Sequence, residues 1–153
     1  MMKEFIEKDL GVNKLCFGCG EENPIGAKLS FYKISEKSVG STFLVPYTWG
    51  GWGKIVHGGL QTVLMDEVSG WTVITLLNEA CLTIKVEIQF FSPLYVEEEV
   101  EIIGEIIEQN EKDIFVKSYI KNKEEKVCTQ GLFTFRKVKK EKIEQIAGIK
   151  FSN

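Results

Sequence analysis

The segment HGGLQTVLMDEVSGW, residues 57–71, holds most of the residues in this chain whose types and spacing suit chemistry. Two consecutive glycines at a helix start leave backbone N–H groups sterically open, at the point where the helix concentrates partial positive charge. The Gly59 N–H, with Gly58 beside it, therefore suits a carbonyl oxygen and the oxyanion that forms when that carbonyl is attacked. The same glycine pair also suits a tight turn and close packing. Asp66 and Glu67 stand side by side in apolar surroundings, where burial raises a carboxylate's pKa and makes it a stronger base. Down the helix, Asp66 shares a face with Gly59, Thr62, Ser69 and Gly70, whereas Glu67 shares one with Leu60, Val63, Leu64 and Trp71. The small-residue face leaves room for a ligand, so Asp66 is the better base; pairing with a lysine of the sheet is the alternative use of either acid.

Seven residues at about 1.5 Å of rise each separate Gly59 from Asp66 by roughly 10 Å. If Gly59 holds a carbonyl and Asp66 activates the attacking water, the two groups come from different copies of the helix, packed antiparallel across a twofold axis. His57, the only histidine, precedes the glycines, where an imidazole orients backbone or moves a proton. Trp49 and Trp52 lie on the Gly-rich stretch PYTWGGWGKIV, which suits an aromatic cover for a ligand or packing beneath the loop. Lys54 on that stretch suits a phosphate or plain solvation. Gly58, Trp52, Glu67 and Lys54 are accordingly the candidate substrate contacts.

Cys16 and Cys19 form a CxxC pair. Structural zinc takes four ligands, and no second pair stands at zinc spacing, so no metal is expected. Gly18, Gly20 and Pro24 argue against a redox-active pair at a helix start.

The elements that must position these groups follow from periodicity. Phe5, Ile6 and Leu10 at one-turn spacing predict a short helix over 2–10, stopped by Gly11. Residues 15–27, rich in Gly, Asn and Pro, read as a loop. Extended runs at 28–35 and 38–45 predict a hairpin closed by Pro46. Leu60, Leu64, Val68 and Trp71 recur along one stripe and predict a nearly fully buried helix over 57–77. Leu82, Ile84, Val86, Ile88 and Phe90 then alternate with polar residues, a strand with one core face and with Thr83 on the other. Strands at 99–109, 114–120 and 126–137 form an antiparallel meander through turns at 110–113 and 122–125. Residues 138–153 read as a frayed helix or tail. Two strands, one long helix and four strands make an α+β layout with one helix against an antiparallel sheet. Phe91, Ile103, Ile107, Phe115 and Tyr119 are left on the outer face, which favours oligomerisation.

With 153 residues, 44% hydrophobic and 27% charged, the chain suits one domain over 1–153, with an extension over 1–27 and a tail over 139–153. The net charge of −3, from 19 Lys and Arg against 22 Asp and Glu, supplies no basic field for nucleic acid or an anionic membrane. Four cysteines are too few for a disulfide scaffold. The first residues carry scattered acids rather than the apolar run of a signal peptide, and Asp66 and Glu67 interrupt the longest apolar stretch. A cytoplasmic protein is expected.

Three segments, CFGCGEENPIGAKLSFY, VHGGLQTVLMDEVSGW and LTIKVEIQFFSPL, resemble the hotdog-fold acyl-CoA thioesterases, in particular the branch similar to phenylacetyl-CoA thioesterase. The resemblance spans about residues 16–135. It implies an antiparallel sheet of five to six strands wrapped around one long helix, a homodimer or a dimer of dimers, and hydrolysis of an acyl-CoA thioester without a cofactor. It implies that the Gly59 N–H polarises the thioester carbonyl, that Asp66 of the partner chain acts as general base or nucleophile, and that Thr83 orients the water. The chain departs from the family in having Trp49 to Trp52 where an asparagine or glutamine is common, and Ser92 where an arginine commonly precedes Pro93. A hotdog hydratase or dehydratase using His57, and a non-catalytic acyl-CoA sensor, are the alternative functions.

Overall fold

The computed structural model describes residues 2–8 and 13–151. Its sheet has six strands, β1 (Tyr32–Lys33), β2 (Ser38–Leu44), β3 (Cys81–Phe90), β4 (Glu99–Gln109), β5 (Asp113–Lys121) and β6 (Val127–Lys137). They run antiparallel in the order β1-β2-β4-β5-β6-β3. The sheet wraps around a 20-residue central helix, Gly58–Leu77, so the layout is the α+β arrangement the periodicity predicts.

Turn chemistry sets the meander. Asn110 Oδ1 accepts the amides of Lys112 and Asp113, and Asn122 Oδ1 accepts those of Glu124 and Lys126. Each asparagine thus replaces the backbone acceptors its turn lacks. The central helix buries Leu64, Val68 and Trp71 against Val39, Ile102, Ile114, Val116, Phe133 and Phe135. It also sits very close to β4, because a Cβ on Gly104 would stand 2.5 Å from Thr72 Oγ1.

Three expectations are corrected, and one that allowed either helix or tail is decided. Residues 2–8 are not helical: Phe5 bridges Tyr32, the Ile6 amide donates to the Phe31 carbonyl, and the Phe5 ring packs edge-on against Tyr32. Bonding to the sheet edge wins over a marginal local helix; Leu10 and Gly11 lie outside the described residues. Strand β1 is two residues long, since the Ala27 and Leu29 amides donate to the Phe17 and Gly18 carbonyls of the N-terminal loop instead of extending the hairpin. Of helix and tail, the C-terminal segment takes the helix, Lys140–Ala147, which ends at Gly148, whose φ of 68° is the left-handed stop.

The third correction concerns β3. Thr83 pairs with Phe135 but Lys85 pairs with Thr134, so Ile84 is the extra residue of a β-bulge. Opposed residues of an antiparallel pair share a face, which puts Thr83 with Val86, Ile88 and Phe90 on the face of Phe133 and Phe135, and turns Leu82 outward with Arg136. Thr83 is therefore on the helix side, not opposite it. That face is nonetheless open: β3 is an edge strand, and Val86 and Phe90 are both exposed.

Candidate active site

His57, at φ −58° and ψ 130°, ends the loop and caps the helix: its Nδ1 accepts the Gly59 amide at 3.0 Å. Its carbonyl accepts the amides of Leu60 and Gln61. The Gly58 N–H is left with no acceptor among the described residues, and it borders a groove of about 310 Å³ walled by Ile55, Val56, Gln61, Phe90, Phe91 and Pro93. Of the two sequence-nominated donors, then, Gly58 is free and Gly59 is held by His57. A Cβ on Gly58 would lie 3.2 Å from Cζ of Phe90, so this glycine lets the aromatic wall close in.

Gln61, not singled out as a site residue from the sequence, is buried below the groove. It donates to the Val56 carbonyl at 3.1 Å and accepts from the Thr129 hydroxyl. Its signal was visible: it is the first polar side chain in an otherwise apolar helix start, and a buried amide there needs partners.

At the middle of the central helix, Asp66 Oδ1 accepts from Thr83 Oγ1 at 2.8 Å. Burial pushes the Asp66 carboxyl above the ordinary carboxylate range, the Thr83 hydrogen bond opposes this, and the Glu67 charge adds to it. Of the small-residue face expected around Asp66, Thr62 bonds the Gly58 carbonyl, while Ser69 is buried against Gly104 and Gly70 stands beside Phe135.

Glu67 turns to the N-terminal loop. Its Oε1 accepts from Trp71 Nε1 at 3.2 Å and from Cys16 Sγ at 3.4 Å, and burial pushes its pKa up to about 7. Cys16 is held down to about 5, first by the Cys19 thiol and then by the amides of Cys19 and Gly18, whereas Cys19 is pushed up by that same pairing. Trp52 is 89% exposed and Trp49 only 7%, packed on Phe43 and Phe17. Lys54 extends its ammonium over Tyr95 at 5.5 Å, and the groove walls include neither Lys54 nor Trp52. Among the described residues no helix is long and apolar enough to cross a membrane.

A family model of the thioesterase superfamily matches residues 53–129, the span from the helix-start loop to β6. The chain belongs to the thioesterase superfamily. No curated protein matches it. Among solved structures it is similar to the thioesterase superfamily protein RHA08564, with a TM-score of 0.73 and 22% identity over 77% of this chain and 61% of that one. The chain thus spans under two thirds of that relative. It is also similar to a hypothetical thioesterase with coenzyme A from Streptococcus pneumoniae (TM-score 0.67, 23% identity, 72% of this chain and 85% of that one). A third similar structure is thioesterase superfamily member 2 from Mus musculus (0.65, 23%, 71% and 81%). These likenesses fix the hotdog fold that superfamily membership implies.

Proposed function

We propose that this superfamily member hydrolyses acyl-CoA thioesters as a homodimer, with each site shared between two chains. The observation that carries the reading is the pairing of a free helix-start amide at an apolar groove with a half-buried carboxylate held by Thr83. The acyl chain lies along Ile55, Phe90 and Phe91, and the thioester oxygen accepts from the Gly58 N–H. The Gly59 N–H joins when the His57 imidazole, which makes no other hydrogen bond among the described residues, turns aside. Both donors face charge that develops on the oxygen during attack, which is where preorganised dipoles act most strongly.

Asp66 of the partner chain takes a proton from water. Thr83 donates to Oδ1, leaving Oδ2 for the water and its own lone pairs for the water's second hydrogen, so hydroxyl and carboxylate together aim the nucleophile. Collapse of the tetrahedral intermediate expels the CoA thiolate, which is a good leaving group and needs no dedicated acid. Enoyl hydration is the weaker reading, since the His57 Nδ1 accepts the Gly59 amide and so serves as the helix cap. Coenzyme A bound to the pneumococcal relative supports an acyl-CoA substrate here.

A free-thiol assay over a panel of acyl-CoA esters tests the reading. Thiol release with apolar acyl groups is expected; tight binding of the esters with no release would show a sensor instead.

A further inference from the structure

No catalytic step uses the Cys16–Cys19 turn, yet it is built to close tolerance against the central helix. The two sulfurs and a Glu67 carboxylate oxygen all lie within 4.8 Å of one another. From the sequence the CxxC pair stands two ligands short; the fold supplies a third from 51 residues away. Glycine is required at two places for this. A Cβ on Gly18 would stand 2.4 Å from Glu67 Cδ, and one on Gly20 2.5 Å from the Cys16 amide nitrogen. Only a glycine at 18 lets the carboxylate reach both sulfurs.

The cluster collects anionic donors without a counter-charge. Among the described residues no Lys or Arg nitrogen lies within 4.0 Å of the Glu67 carboxylate. Lys8, which does reach this loop, places its ammonium on the carbonyls of Cys19 (3.0 Å) and Leu29 (2.9 Å). A buried carboxylate that lacks a cation is costly.

We propose that Cys16, Cys19 and Glu67 bind a thiophilic divalent cation, zinc being the best match, with two thiolates, one carboxylate and a fourth position open to water. Zinc bonds of about 2.3 Å to sulfur and 2.0–2.2 Å to oxygen put tetrahedral neighbours about 3.4–3.8 Å apart, a small contraction of the cluster as it stands. Two thiolates select zinc over magnesium or calcium, which want oxygen ligands only. Bound metal would staple the N-terminal loop to the central helix at the residue that follows Asp66.

The test uses the untagged full-length protein, stripped with chelator under reducing conditions and titrated with Co²⁺ alone. One equivalent per chain should produce a near-ultraviolet thiolate-to-cobalt band and visible bands of tetrahedral cobalt, which Zn²⁺ then erases; Zn²⁺ should also raise the Tm of the stripped protein. Cys16→Ser should lose the thiolate band and the Tm shift. Glu67→Gln should weaken the site by at least the roughly 10–100-fold that loss of an outer partner costs. Cys16 is only half-buried, so its variant keeps the test open if Cys19→Ser does not fold. No thiolate band in the wild type, or a band and Tm shift unchanged in Cys16→Ser or Glu67→Gln, overturns the proposal. None of these readouts depends on thioester hydrolysis.

Discussion

Thr83 reaches Asp66 only because Ile84 is bulged out of β3. The 2.8 Å bond between them joins the middle of the central helix to the edge strand. Without the extra residue, Thr83 would keep the alternation of Lys85 and Glu87 and point away from the helix. The bulge re-aims one side chain.

That bond favours ionised Asp66, while burial favours the protonated form and dominates. Asp66 must be ionised to act as base, so activity falls as pH drops through its raised pKa, above the usual carboxylate value of about 4. Removing the bond raises that pKa further. Thr83→Val should therefore move the acid limb of the kcat/KM profile to higher pH and lower the plateau, and Thr83→Ser should restore both. An unmoved limb in Thr83→Val would separate Thr83 from the base.

Asp66→Asn keeps shape and the Thr83 contact but removes the base, so turnover should fall by about 10²-fold or more, the scale of general-base loss. Glu67→Gln, whose partners are Cys16 and Trp71, should cost far less. Steady-state rates on folded oligomers check this; the opposite ranking would assign the chemistry to Glu67.

The sequence carries the central helix and the β4–β6 meander because each is a run of one period bounded by its own turn residues. It also separates Asp66 from Glu67, because a helix face is local: Asp66 meets Thr83, and Glu67 meets Cys16 and Trp71. The hidden parts are those a distant partner decides. Thr83 depends on a bulge that leaves no trace in the alternation of Leu82 to Phe90, and β1 is short because residues 27–29 bond the N-terminal loop. The third member of the Cys16–Cys19 cluster comes from another element, which spacing along the chain cannot show.

Glu67 also predicts a pH-dependent stability. Its pKa rises from 4.5 to about 7 on folding, so its contribution is fully present below about pH 4.5 and is lost as pH rises through 7. In chelator-stripped protein, Glu67→Gln escapes that loss and should gain about 1–3 kcal/mol on the wild type between pH 5 and 8. Urea melts across that range check it, and a constant difference between the two proteins would contradict the buried-charge origin.

His57 can be tested as a cap rather than a proton carrier. His57→Ala removes the acceptor of the Gly59 amide and should cost about 1 kcal/mol, or roughly 2–4 °C in Tm. Asparagine is a good cap without an imidazole, so His57→Asn should keep both stability and most of the activity. A stable His57→Asn protein with turnover lost would make the imidazole itself catalytic.

The split site rests on geometry within one chain. Gly59 and Asp66 lie on the same helix roughly 10 Å apart, and β3 offers a free edge with exposed Val86 and Phe90 on its inner face. Such an edge is ordinarily covered, and a second copy would cover it and bring its own Asp66 to the glycines. Light scattering should give a dimer or a dimer of dimers. Complementation then distinguishes a shared site from a private one. Asp66→Asn and Gly58→Pro, the latter removing the free N–H at the first helical position, where proline is tolerated, should each be nearly inactive alone. Mixed and reassembled, half of the dimers carry one chain of each kind, and each of these has one intact site if the site is shared. About a quarter of wild-type activity should return. If the site lies within one chain, every site in the mixture keeps a lesion, and no activity returns.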